Sequence, residues 1–264
     1  MSGFRARFFA TQTEHHSLRG FSAEPEADLG GAELDLDAED SRHALKVLRL
    51  QLGDECEVVM GAAVYAATVI AAADPVRVRL NVRLEGAAAG ASYQIQVGVV
   101  QALARPTVMD HILEKGTEVG ASFFVLVQVS GSPRRLEPPG GDRLARWRRI
   151  TREAAKQSKQ TSVPSVELMS SVEHALCHLG AAGALSLVLD PAAAAGLSGV
   201  LGSRAPRPAR VALWVGPESG WTLDELGQFS AAGLESARLG RSVLRTETAG
   251  PVAVAVARLA LRDW

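Results

Sequence analysis

Four apolar runs in the second half of the chain constrain its fold more than any other feature. They are QIQVGVVQAL (94–103), FFVLVQV (123–129), LSLVLD (185–190) and VALWVG (211–216). Runs this short and this uniformly apolar read as strands buried on both faces. Helical patterns lie between them. Over 107–119, Val108, Ile112 and Leu113 share one face and Gly120 marks the stop; 141–160 is a basic helix that Pro164 brings to a break. The apolar stretch PVAVAVARLALRDW closes the chain. This alternation implies a mostly parallel sheet covered by helices on both faces.

The first half has a different texture. ECEVVM, VYAATVIA and VRVRLNVRL are short strand-like runs within 54–84. Val76, Val78, Leu80, Val82 and Leu84 alternate with Arg77, Arg79, Asn81 and Arg83, the period-two signature of a half-exposed strand. A small β-rich domain or barrel is expected over 1–85, a linker of small residues (GAAAGASY) over 86–93, and the α/β domain over 94–264. No internal repeat is present.

Apolar residues make up 47% of the 264 and charged residues 22%, enough to build a core without a metal or disulfide staple. Cys56 and Cys177 form no CxxC pair, which argues against a zinc site and for a reducing, cytoplasmic compartment. The first twenty residues carry no signal-type apolar core, and the Ala/Leu-rich stretch 181–201 is interrupted by Asp190, Pro191 and glycines, so no membrane partner is expected.

Net charge is −1, but its distribution is uneven. Residues 21–40 hold eight acids and no base; 134–159 holds Arg134, Arg135, Arg143, Arg146, Arg148, Arg149, Arg152, Lys156 and Lys159 against three acids. Such a patch can grip phosphates in a neutral protein, helped here by Arg77, Arg79 and Arg83; the competing reading is a solvated helix face.

Ligands of open parallel sheets bind beyond the carboxyl ends of the strands. Three segments fall there: Ser130-Gly131-Ser132, Gly216-Pro217-Glu218-Ser219-Gly220, and 239–249 (LGRSVLRTETA). Glycine at 216 lets a backbone pass close to a ligand, though an ordinary strand-to-helix turn also explains it. GxxSG is not the hydrolase elbow, so Ser219 is a poor nucleophile and an α/β hydrolase is disfavoured. No phosphate-binding lysine loop or GxGxxG is present. Arg245, Thr246, Glu247 and Thr248 crowd polar groups against the final helix; they need partners, either from a ligand or from a capping box with a structural ion pair. His15 and His16 read as surface residues, and His174 and His178 have metal-ligand spacing but no third ligand, so no metal is expected.

GPESG followed by LGRSVLRTETA resembles the signature of the RsmE family, bacterial 16S rRNA uridine-N3 methyltransferases of the SPOUT superfamily. RARFFA, HALKVLR (43–49) with Gly53-Asp54, DHILEKGTEVG (110–120) and EAAKQSKQTSVP (153–164) resemble further family segments in the same order. Ser219 stands where the family usually has glycine, Gln160 where it often has arginine, and a Glu-Arg pair usually precedes the serine matching Ser132. The resemblance implies a PUA-like RNA-binding barrel followed by a trefoil-knotted methyltransferase domain, a homodimer, and S-adenosylmethionine as methyl donor. Carried over residue by residue, it implies donor contacts from Leu189, Gly216, Pro217, Glu218, Gly220, Leu239, Gly240, Val243, Leu244 and Thr248. It implies Arg245 as the group stabilising charge on the uracil and Glu247 as its orienter or the proton acceptor. The 16S rRNA or small subunit would be held by Arg49 and the basic residues from Arg134 to Lys159. The rival reading is an rRNA-binding protein of the same fold without catalysis.

Overall fold

In the computed structural model, residues 6–10, 29–61, 63–85, 90, 93–132 and 141–264 are described. The chain divides into two compact units, Met1–Ser92 with Lys156–Ser162, and Tyr93–Ala155 with Val163–Trp264. Arg134, Arg135, His15, His16 and most of the expected linker lie outside the described residues.

The first unit holds β1 (Arg7–Ala10), β2 (Glu33–Asp35), β3 (Glu55–Met60), β4 (Ala63–Ala71) and β5 (Arg77–Leu84), in the order β1-β3-β4-β5-β2. β1 and β3 are parallel and the other pairs antiparallel. Where a barrel is expected, β1 and β2 are sheet edges among the described residues. A short helix, α1 (Ala38–Arg42), is capped by Asp37 and runs into a π-helical turn at His43–Val47. Phe8, Leu34, Val58, Tyr65, Val78 and Leu80 form the core.

The alternation in β5 holds only as far as Leu80. Ala67 of β4 pairs with Leu80 but Ala66 pairs with Val82, so Asn81 is an extra residue on the β5 side. This bulge turns the remaining side chains over. Val82 is consequently 59% exposed instead of facing the core. Arg77 and Arg79 are also placed differently from the expected phosphate grip. They sit directly opposite Asp35 and Glu33 and pair with them at 2.6 and 2.8 Å. Part of the acidic stretch is thus used in cross-strand ion pairs.

Two ion pairs are buried in this unit. Arg7 Nε donates to Glu57 at 2.7 Å, while Arg7 Nη1 donates to the carbonyls of Lys159 and Gln160. Lys156 donates to Asp40, both side chains being almost fully buried. Next to Glu57, burial and then the carboxylate's charge push the Cys56 thiol up to about 12. The reactive species is the thiolate, so Cys56 stays inert at neutral pH. A thiol reagent is therefore expected to label exposed Cys177 in the native protein and to reach Cys56 only after unfolding. Equal labelling of both in native buffer would contradict this burial.

The second unit is built on six strands, all parallel: β6 (Gln96–Ala102), β7 (Phe123–Val127), β8 (Ser165–Met169), β9 (Leu185–Leu189), β10 (Arg210–Val215) and β11 (Glu235–Ala237). Their order is β11-β9-β10-β6-β7-β8. The helices are α2 (Pro106–Glu118), α3 (Gly141–Gln157), α4 (Val172–Ala181), α5 (Leu197–Gly202), α6 (Leu223–Ala231) and α7 (Thr246–Leu261). One face of the sheet buries Ile112 of α2, Leu201 of α5 and Val254 of α7; the other buries Leu179 of α4 and Phe229 of α6. α2 starts at Pro106, whose missing N–H costs nothing in a first turn.

Two packing devices hold the strands. Gly98 of β6 lies under the Phe123 ring of β7, where a Cβ would come within 2.4 Å, and Arg210 stacks over that ring at 4.2 Å. Arg258 of α7 is fully buried. It donates to the Gly120 and Ile95 carbonyls, to Ser122 and to Asp263, and lies 3.8 Å from the Tyr93 ring centre. Asp263 accepts in turn from the backbone N–H groups of Gln94 and Ile95.

Candidate active site at the carboxyl rim of the parallel sheet

β6 has β7 on one side and β10 on the other, so strand order reverses between β6 and β10 and a crevice opens at their carboxyl ends. Beside it lies a cavity of about 680 Å³, lined from the carboxyl ends of β9, β10 and β11 and by Arg105. Leu189 ends β9, Gly216–Gly220 follows β10, and Leu239–Glu247 connects β11 to α7. Of the expected donor contacts, Leu189, Gly216, Pro217, Glu218, Gly220, Leu239, Gly240, Val243 and Leu244 line this cavity, together with Arg245 and Glu247. Thr248 is not among the lining residues; it is exposed on the first turn of α7.

The loop after β10 is shaped from within the protein. A Cβ on Gly216 would meet the Trp221 ring at 3.2 Å, so glycine there makes room for an indole of the chain itself. Trp221 is anchored edge-on to Phe229, which also packs edge-on to Trp214. The strained backbone angle of this loop falls on Gly220, at φ +77, and not on Ser219. Serine at the fourth position therefore costs no backbone strain. Its hydroxyl lies where a Cβ on Gly131 would be, 2.4 Å away, so glycine at 131 leaves space for the Ser219 side chain.

The polar cluster expected just before the last helix forms its first turn. Arg245 is the N-cap and makes no side-chain capping bond. Its guanidinium is 87% exposed and 3.9 Å from Glu247. Thr246 is buried and finds its partners inside the fold, at Gln101 and the Gly216 carbonyl. Motif reasoning missed Arg105, Asp190 and Trp221, all of which line the cavity. Arg105 caps the sheet end of α2 and pairs with Glu218 at 3.1 Å. None of the three stands in a pattern that singles it out in one dimension.

The basic residues are divided. On α3, Arg143, Arg146, Arg148 and Arg149 are exposed and Arg152 is half-buried. Arg146 pairs with Asp110, and Arg148 donates to the Val166 carbonyl. Arg49 is exposed in the first unit, at φ +54. Lys159 pairs with Glu57 at 2.8 Å. Lys156 is a correction to the expected phosphate-binding face: its ammonium is buried on Asp40, out of reach of a phosphate. His174 bonds to Ser170 and His178 lies 3.5 Å from Glu167.

Residues 91–258 match the RNA methyltransferase domain family, and 36–81 match the RNA methyltransferase PUA domain family. The chain is 31% identical over 238 residues to ribosomal RNA small subunit methyltransferase E of Mycobacterium bovis, covering 89% of each. It is 30% identical over 217 residues to the protein of that name from Synechocystis, covering 80% of this chain and 67% of the relative. Among solved structures it resembles ribosomal RNA small subunit methyltransferase E from Neisseria gonorrhoeae bound to S-adenosyl methionine. That likeness has a TM-score of 0.76 at 24% identity, covers 96% and 97% of the two chains, and speaks to the fold. With a matching domain over most of its length and relatives of one name along nearly all of it, the chain belongs to the RsmE family of small-subunit ribosomal RNA methyltransferases.

Proposed function

We propose that this protein methylates N3 of a uridine in 16S rRNA, with S-adenosylmethionine as donor held in the cavity at the carboxyl rim. The carrying observation is that the loop after β10 and the segment from Leu239 to Glu247 enclose one volume, with Arg245 and Glu247 on its wall. About 680 Å³ suits a ligand of the donor's size. Leu189, Val215, Leu226, Leu239 and Leu244 offer apolar walls for an adenine ring, and the adjoining main chain offers donors and acceptors for its edges. Asp190, Glu218 and Glu247 supply negative charge for a ligand that carries a sulfonium and an ammonium. When bound, that donor supplies an electrophilic methyl carbon.

The chain's own residues act on the uracil. Its imide proton titrates above neutral pH and must leave before or during attack, so negative charge grows on the ring carbonyls. Arg245, exposed at the cavity wall, is placed to stabilise that charge. Glu247 orients the guanidinium or accepts the N3 proton. N3 lies on the pairing edge of the base, so the enzyme takes an unpaired or extruded uridine.

Arg49 and the exposed face of α3 would hold surrounding phosphates. Changing Arg146, Arg148 and Arg149 together to alanine is expected to flatten the slope of log affinity against log salt by about 2. An unchanged slope removes α3 from the RNA contact surface. A homodimer is supported by the large apolar side chains left exposed at Leu223, Val243 and Leu259. A trefoil knot is supported by the path of the chain, which runs from the sheet edge at β11 back to α7, packed on β6. Among the described residues no helix is long and apolar enough to cross a membrane, which accords with work on cytoplasmic ribosomal particles.

The deciding experiment titrates S-adenosylmethionine into the purified protein by calorimetry and follows labelled methyl transfer to small-subunit rRNA. Donor binding with N3-methyluridine as product supports the reading. RNA binding without donor binding replaces it with the non-catalytic alternative.

A further inference from the structure

Gln101, near the carboxyl end of β6, is fully buried. Its Nε2 donates to Thr246 Oγ1 at 2.9 Å and to the Ala102 carbonyl at 3.0 Å. Thr246 donates its hydroxyl proton to the Gly216 carbonyl at 2.8 Å. These directions are forced. A carbonyl can only accept, so the threonine proton goes to Gly216 and its oxygen receives an N–H from Gln101. The amide is thereby fixed with Oε1 turned away, buried and without a hydrogen-bond partner among the described residues. That oxygen faces a position of α7 without a side chain, 3.6 Å from where a Cβ on Gly250 would be.

Leaving a buried amide oxygen unpaired is destabilising. An apolar side chain at 101 would avoid that cost, so packing alone does not account for a glutamine there. What the amide does is hold the Thr246 hydroxyl on Gly216. We propose that Gln101 and Thr246 are positioning residues, forming a two-bond relay that sets Arg245 and Glu247 in register with the loop after β10. Thr246 lies between the two charged residues in sequence, and Gly216 begins the loop after β10 that also lines the cavity. The relay rests on reading that cavity as the donor pocket.

The test compares wild type with Thr246→Ser, with the double variant Gln101→Met/Thr246→Val, and with Gln101→Glu. Serine keeps both bonds, and its donor affinity and kcat should stay within about threefold of wild type. The double variant removes the amide and the hydroxyl together but leaves the Gly216 and Ala102 carbonyls without those donors, so its stability should fall modestly. Assayed well below its unfolding midpoint, where it is folded, it should show donor affinity and kcat each lowered about tenfold. In Gln101→Glu, a protonated carboxyl has a single O–H, which can donate to Thr246 but cannot also serve the Ala102 carbonyl as the amide does. Once ionised it can only accept, and it draws the threonine proton away from Gly216. The ratio of variant to wild-type donor affinity should therefore fall as pH rises. Arg245 and Glu247, the charged residues flanking Thr246, are common to both proteins and divide out of that ratio. Wild type that binds no donor overturns the reading of the cavity, and the relay with it. Wild type that binds donor while the double variant binds and turns over equally, or a flat pH ratio, overturns the relay alone.

Discussion

Arg258→Leu should cost about 3–5 kcal/mol of stability, read as a large drop in the urea midpoint of the α/β unit. The guanidinium makes bonds of 3.1 and 2.6 Å to Gly120 O, 2.6 Å to Ile95 O and 2.9 Å to Ser122 Oγ, besides its pair with Asp263. Leucine would leave those carbonyls buried and unpaired and would remove the stacking on Tyr93. Burial lowers the Arg258 pKa while the Asp263 charge opposes it, and an arginine so placed remains charged. Lysine would carry the charge without the planar fork, so Arg258→Lys should recover only part of the loss. A leucine variant within about 0.5 kcal/mol of wild type would show that these bonds contribute nothing net.

Arg245→Ala should lower kcat for methyl transfer by about 10²–10³ while leaving the unfolding midpoint where it was. The side chain is 87% exposed and makes no capping bond, so its removal opens no cavity and strands no buried group. Donor affinity should change little, because the charge it answers develops on the acceptor base and not on the donor. Arg245→Lys should fall between the two, keeping the charge but losing the flat, two-pronged donor geometry. Turnover that survives alanine would move the catalytic role elsewhere on the cavity wall, with Arg105 as the next cation to test.

Much of the α/β unit was legible because its central strands are apolar on both faces. The four runs named from periodicity became β6, β7, β9 and β10, the four inner strands of the sheet. β8 and β11 were not anticipated. β8 is half-exposed at an edge, and β11 is three residues long, so neither carries a run that stands out from loop sequence. Val82 was misplaced because a bulge is set by pairing across strands, which a period-two count cannot register. Lys156 was misplaced for a similar reason: its partner Asp40 is 116 residues away in sequence, and helix-face charge counts see only near neighbours. At the candidate site, the glycine-bearing loops stood out as motifs, whereas Gln101 sits inside an apolar strand and acquires its meaning only through Thr246 and Gly216.

The first unit is discontinuous along the chain, since Lys156–Ser162 belongs to it. Lys156 neutralises Asp40, and the Lys159 and Gln160 carbonyls receive Arg7. During vectorial synthesis this unit cannot mature when its last strand leaves the ribosome. It must wait through the making of β6, β7 and α3 for the ammonium that pairs with Asp40 and for the two carbonyls that accept from Arg7. A gene fragment ending at the apparent linker would therefore encode an incomplete module, and excising this unit for study calls for grafting the 156–162 peptide back onto it.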